Sequence, residues 1–280
     1  MSAYNKVWES LQSEEVGQDL LCLAESVIAT QAVSIHKQTR HLRQRYLTSE
    51  EMLQKISLMT SAAVGQGLGG GLGFVSEVLL GQPKDERTCL GTPSSILSLD
   101  LLYAQAMLIN PIFQTTVQQI ALASSGFFLV TLGSDRNDSN ISFTSACDWH
   151  RKGVLKRVDR VIEKAVRSYK GDVSRICDIV RQCIAFDAVH DICRAIQAID
   201  ADPEIQVVRI KNRMSPVYDA RLSCGYRDVL LNVCIDSPLT RKLGLFKHVC
   251  ELQLILKSFV HYKTIEGHKR YVEFRNRRCE

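Results

Sequence analysis

Apolar residues recur near helical spacing through the first part of the chain. Val7, Leu11, Leu20, Leu21, Leu23 and Val27 mark the stripe and predict a mainly helical region over 4–60. Within it, 36–45 is cationic and reads as exposed, and Ser49-Glu50-Glu51-Met52 reads as a helix start capped by Ser49 or Thr48. Residues 57–81 are apolar and glycine-dense, with Gly65, Gly67, Gly69, Gly70, Gly71 and Gly73. Three readings stay open for this segment: a hinge or close-packed helix pair, a membrane-associated hairpin, or a phosphate loop. The last lacks a following Lys-Ser/Thr and a preceding strand. A polar linker over 82–93 comes next. One or two helices are expected over 94–123, broken at Asn110-Pro111. Residues 126–132 read as a strand or a buried helix end, and 134–140 as a turn-rich loop.

The pattern sharpens after 154. A helix is predicted over 155–169, a strand over 176–186 and a helix over 188–199 that starts after Asp187. Strands follow over 205–211, 229–235 and 249–256, then a helix over 259–275. Helices alternating with strands point to an α/β or α+β domain around a mixed sheet. The division expected is a helical N-terminal region over 1–92 and a sheet domain over 93–280 whose motif core runs from 150 to 276.

Composition adds an asymmetry. The 280 residues carry a formal net charge of +5, but 151–280 holds 26 Lys/Arg against 16 Asp/Glu, while 1–150 holds 9 against 14. A basic half suits a polyanion such as nucleotide phosphate, RNA or an acidic membrane; a solvated basic face is the plainer alternative. None of the ten cysteines forms a Cys-x-x-Cys pair, which disfavours a zinc knuckle or a thioredoxin-type site. Cys177, Cys234 and Cys250 sit in apolar runs and read as small buried hydrophobes in a reducing, cytoplasmic setting. The polar, acidic stretch 1–18 does not read as a signal peptide.

The candidate chemistry lies in the basic half. Lys156, Arg160 and Lys164 stand at steps of four, so on a helix they share one side, as a triphosphate requires and as any exposed basic face also shows. Asp178 follows apolar Ile176-Cys177, and a carboxylate there is costly to bury without a cation. Alternation puts Arg181 on the other face from Asp178. Glu251 and Gln253 share a face of an apolar run. Asp178 and Glu251 together could hold one Mg²⁺ that also binds phosphate oxygens, or each could pair with a neighbouring base. Gly225-Tyr226-Arg227-Asp228 leads into a strand, where Tyr226 can stack on a base or pack in the core, and Arg227 can bind phosphate. Arg209, Lys211 and Arg213 alternate at a strand end and could form a second phosphate-binding edge.

In this order the motifs resemble the RelA/SpoT-type nucleotidyltransferase domain, which makes guanosine tetra- and pentaphosphate. Gly153-Val-Leu-Lys156 with Lys164 is similar to the family's Lys-Ser loop, whose second lysine lies eight residues on. Asp178-Ile-Val-Arg181 is similar to its metal-binding Asp strand, shortened by two residues. Lys211-Asn-Arg213 followed by Gly225-Tyr226-Arg227 resembles the acceptor-stacking tyrosine stretch. Glu251-Leu-Gln253 resembles the Glu-x-Gln strand, and Gly267-His268 a segment of the closing helix. Three departures stand out: Val154 replaces an arginine, Asp228-Val-Leu replaces Ser-Leu-His, and Leu254-Ile-Leu replaces Ile-Arg-Thr.

The resemblance implies an α+β fold, a nucleotidyltransferase-like mixed β-sheet flanked by helices and preceded by a mainly helical N-terminal region. It implies Mg²⁺-dependent transfer of pyrophosphate or a nucleotidyl group from ATP to a hydroxyl of a guanosine nucleotide or RNA. Asp178 and Glu251 would be catalytic and metal-binding. Lys156, Arg160, Lys164, Arg181, Lys211, Arg213, Tyr226, Arg227, Gln253 and His268 would bind nucleotide. A degenerate nucleotide- or RNA-binding module of the same fold is the alternative, and membrane contact through 57–81 is a further, lesser expectation.

Overall fold

The computed structural model describes residues 3–11, 13–34, 98–131, 141–149 and 154–261. The glycine-dense segment, the expected linker over 82–93, the loop over 134–140, Gly153 and His268 lie outside the described residues. So does all but the first few residues of the helix expected over 259–275.

The elements run α1 (Ala3–Ser10), α2 (Glu14–Ser34), α3 (Leu99–Ala123), β1 (Phe127–Thr131), β2 (Ile141–Ser145), α4 (Val158–Tyr169), β3 (Arg181–Phe186), α5 (Val189–Ala201), β4 (Ile205–Asn212), β5 (Val229–Ile235), α6 (Pro238–Lys242), β6 (Cys250–Leu256) and α7 (Lys257–His261). Short 3₁₀ turns at Val173–Arg175 and Ala220–Ser223 precede β3 and β5. The six strands form one mixed sheet in the order β2-β1-β3-β6-β5-β4. The β3/β6 pair is parallel, and every other pair is antiparallel. The fold is thus α+β, a mixed sheet flanked by helices.

Strand alternation divides the sheet into an apolar and a polar face. Ile184, Leu252, Leu254, Leu231 and Ile210 occupy equivalent positions on neighbouring strands and are buried. Helix α5 packs against β3, β4 and β6, and α2 lies on both α5 and β4. Val7, Leu20, Leu23 and Val27 of the N-terminal helices join the same core as the strands.

Helix α3 runs unbroken through Pro111, contrary to the break expected there. Ile109, Phe113 and Val117 are each buried on the two sides of the proline, so tertiary packing holds the helix where the missing N–H would weaken it. At its end Gly126 lets the chain pass close to the sheet. A Cβ there would stand 2.3 Å from Ile184 Cγ2.

Two local expectations change. The strand predicted over 176–186 begins only at Arg181, and 176–180 form an irregular, buried approach to it. The helix predicted from 155 begins at Val158, which leaves Lys156 on extended chain whose N–H donates to the Ile179 carbonyl at 3.0 Å.

Candidate functional site

The loop over 176–180 sets Asp178 between Lys156, just ahead of α4, and Lys164, inside it. Lys156 Nζ lies 2.7 Å and Lys164 Nζ 2.9 Å from the same oxygen, Asp178 Oδ2. Burial alone would raise the carboxyl, but the ammonium groups of Lys164 and Lys156 outweigh it and hold Asp178 below the ordinary carboxylate value. Burial pulls Lys156 down against the attraction of Asp178. For Lys164, burial is outweighed by Asp178, Tyr169 and Glu251, and its pKa is raised. The other oxygen, Asp178 Oδ1, is buried without a hydrogen-bond partner.

A cleft of about 440 Å³ opens over this triad, lined by Lys156, Arg157, Arg160, Lys164, Arg167 and Arg181, with Glu163 and Asp178 as its carboxylates. Arg160 is half exposed and pairs with Glu163 at 2.6 Å. Glu163 also takes Arg167 at 2.8 Å, so this rim is already a charge network. Of the three basic residues expected on one helix side, the structure joins Lys156 and Lys164 through Asp178 and leaves Arg160 on the rim.

Glu251 starts the polar face of the sheet. Its backbone N–H donates to the Val180 carbonyl at 2.9 Å, which ties β6 to the Asp178 loop. Burial raises its carboxyl, and the charge of Asp178 raises it further against the pull of Lys164 and Arg181. Strand register places Arg181, Glu251, Asn232 and Arg209 in one row across β3, β6, β5 and β4. Arg209 donates to Asn232 Oδ1 through Nε at 2.9 Å and Nη2 at 2.7 Å. Lys211 stands in the next row, where desolvation of its ammonium by the surrounding sheet, together with Arg209 and Arg213, lowers its pKa.

A second buried carboxylate, Asp228, was not among the sequence candidates. Its side chain is inaccessible and forms an ion pair with Arg213. Its Oδ2 accepts the Tyr226 hydroxyl at 3.1 Å and the amide of Gln253. Gln253 also donates to the Tyr226 hydroxyl oxygen at 2.8 Å. Arg213, Tyr226 and Gln253 are therefore brought together, but around Asp228. The only sequence signal for it was its place ahead of an apolar strand.

Tyr226 and Arg227 both meet residues of α1. Tyr226 is presented by a turn in which Cys224 and Gly225 both have positive φ, yet its ring meets the edge of Tyr4 from α1, centroids 5.8 Å apart. Arg227 turns away from the cleft. Its guanidinium donates to the carbonyls of Arg213 and Ser215, each at 2.9 Å, and stacks over the Trp8 ring at 3.8 Å. A buried arginine next to a row of loop carbonyls satisfies those acceptors.

No group of three or more His, Cys, Asp or Glu side chains is arranged for a metal among the described residues. Mg²⁺ is commonly held by one or two carboxylates with substrate phosphates and water completing the shell. The unpartnered Asp178 Oδ1, with Glu251 electrostatically coupled to it, fits that smaller set. None of the described helices is long and apolar enough to cross a membrane.

No known family profile matches the chain, and no curated protein does. Solved structures show a similarity. One is the small alarmone synthetase 1 from Bacillus subtilis bound to its product pppGpp, 19% identical, covering 64% of this chain and 85% of that one with a TM-score of 0.40. The small alarmone synthetase 2 from Bacillus subtilis is 18% identical over 63% and 81%, with a TM-score of 0.43. A GTP pyrophosphokinase family protein from Streptococcus pneumoniae is 14% identical over 62% and 78%, with a TM-score of 0.43.

Proposed function

We infer that this chain transfers a pyrophosphoryl or nucleotidyl group from ATP to a hydroxyl of a guanosine nucleotide or RNA. The observation that carries the reading is Asp178, whose one oxygen holds two lysines at the floor of a cationic cleft while the other is left buried and unpartnered. Lys156, Lys164 and Arg181 face a polyphosphate from several directions, and Arg160 can join them by releasing Glu163. Asp178 and Glu251 would hold Mg²⁺, which offsets phosphate charge when bound. The raised carboxyl of Glu251 suits it to take a proton from the acceptor hydroxyl. Lys211 and Arg213 extend positive charge along the sheet toward β4, on the side where an acceptor's phosphates would lie.

Incubation with γ-³²P or α-³²P ATP, Mg²⁺ and a panel of GDP, GTP and tRNA tests this. Label from the γ position in the acceptor marks pyrophosphate transfer, and label from the α position alone marks nucleotidyl transfer. Label in no acceptor overturns the reading. The covered ring of Tyr226 and the diverted Arg227 favour a second reading, a module that binds nucleotide or RNA without chemistry. Its mark is nucleotide affinity that persists in EDTA with no product.

A further inference from the structure

Helices α2 and α5 carry two thiols at their contact. Cys22 on α2 is half-buried and Cys193 on α5 is buried, and the two side chains are near enough to act on each other electrostatically. Cys193 Sγ also lies 3.6 Å from the Asp19 carbonyl oxygen, one helical turn before Cys22. The helices they join are packed against each other along their length. Both residues are free thiols. This contact holds the N-terminal arm to the sheet, because α2 leads back to α1, where Tyr4 covers Tyr226 and Trp8 covers Arg227.

We propose that Cys22 and Cys193 form a redox-sensitive pair that closes into a disulfide under a two-electron oxidant of the peroxide class and locks the α1–α2 arm onto α5. A disulfide needs its sulfurs about 2 Å apart, and Cys193 Sγ already lies against α2 one turn before Cys22. Burial and the neighbouring Cys22 push the Cys193 thiol up to about 12, so the more accessible Cys22 meets the oxidant first. The Cys22 thiolate attacks one peroxide oxygen, the O–O bond breaks, and the leaving hydroxide takes up a proton to become water. The Cys22 sulfenic acid is then attacked by the Cys193 sulfur. The S–O bond breaks, and the oxygen leaves as water with the Cys193 thiol proton. Two thiols are oxidised to one disulfide and one peroxide is reduced to two waters. The pair lies apart from the Asp178 cleft, so the inference is independent of the proposed transfer activity.

The full-length reduced chain, treated with hydrogen peroxide, alkylated and digested without reductant, tests this. The expected result is a Cys22–Cys193 linked peptide as the main cross-link, lost on treatment with dithiothreitol. Amide exchange in α1 and α2 should slow about tenfold in the oxidised protein, since a cross-link removes local opening of the arm. Cys22→Ser and Cys193→Ser should each abolish the link and the slowing. The proposal is overturned if peroxide carries Cys22 to sulfinic acid without a link, if Cys22 joins another cysteine or a second chain, or if the link forms and exchange in the arm does not change. The peptide measurement on the parent chain decides the pairing even if a serine variant fails to fold.

Discussion

Lys164 Nζ stands 2.9 Å from Asp178 Oδ2, the oxygen that Lys156 also engages from the other side. All three side chains are largely shielded, with 11% of Asp178, 11% of Lys156 and 23% of Lys164 accessible. One carboxylate therefore compensates two ammonium groups, and its protonation leaves both unpaired. The folded carboxyl sits below its ordinary value, so as pH falls the unfolded chain takes up the proton first. The stability it contributes is complete above the unfolded value of about 3.9 and is lost as pH falls through the folded value. Urea unfolding between pH 3 and 7 should show this acid limb in the parent and a weaker one in Asp178→Asn. At neutral pH that variant should be less stable by about 3 kcal/mol, as for a buried charge pair broken from one side. Turnover should fall about 10³-fold with the circular dichroism spectrum retained. Unchanged turnover would remove Asp178 from the chemistry.

Glu251 has the opposite bias. Burial first, then the charge of Asp178, raise its carboxyl, so the folded state disfavours the ionised form that the unfolded state adopts freely. Stability is lost as pH rises from the unfolded pKa through the folded one and is level above it. Glu251→Gln removes the penalty while keeping the shape. The variant should be more stable at pH 7 by about 1 kcal/mol and inactive, the usual sign of a residue kept for chemistry at the expense of stability. In the parent, the rising limb of the activity–pH profile should lie above the range of an ordinary glutamate. A variant both destabilised and active would contradict this assignment.

The cluster around Asp228 separates hydroxyl loss from charge loss. Tyr226→Phe deletes two hydrogen bonds, one donated to Asp228 and one accepted from Gln253, but leaves Arg213 and Gln253 on the carboxylate, and should cost about 1–2 kcal/mol. Asp228→Ala strands the Arg213 guanidinium and should cost about 3–5 kcal/mol. Chemical denaturation of both variants checks the ordering. Equal costs would mean that Asp228 is not the hub.

These contacts also show what the chain reveals without coordinates. The span of β5 matches its apolar run residue for residue and β6 differs from its run by one residue, because buried strands with few polar interruptions carry their own boundaries; the half-polar β4 also differs by one. Strand β2 was not foreseen. Ile141-Ser-Phe-Thr-Ser has two apolar residues in five and owes its strand to antiparallel pairing with β1. Asp178 was foreseen as a charged, metal-facing residue but placed on a strand. Its irregular backbone follows from the lysines it meets, which lie 22 and 14 positions earlier in the chain. Asp228 and the diversion of Arg227 were not legible for the same reason. Each is fixed by partners from loops and from α1 whose approach no local pattern records.

Arg227 gives the sharpest separation between architecture and site. Its guanidinium bonds two loop carbonyls at 2.9 Å and covers Trp8, which binds the turn after β4 to the N-terminal helix. Truncation removes both hydrogen bonds, leaving the Ser215 carbonyl with only the Tyr218 N–H at 3.0 Å, and removes a shielded cation–π contact, for a combined cost of about 3 kcal/mol. Arg227→Ala should therefore unfold at lower urea. In a Trp149→Phe background its Trp8 emission should shift to the red as the indole loses its cover. Arg227→Lys keeps the charge but lacks the reach and the planar group that stacks over Trp8, and should recover less than half of the loss. Nucleotide affinity of the folded variants should stay within about twofold of the parent, because the guanidinium faces away from the cleft and a phosphate contact would be worth about tenfold or more. A large loss of affinity without a loss of stability would return Arg227 to the nucleotide.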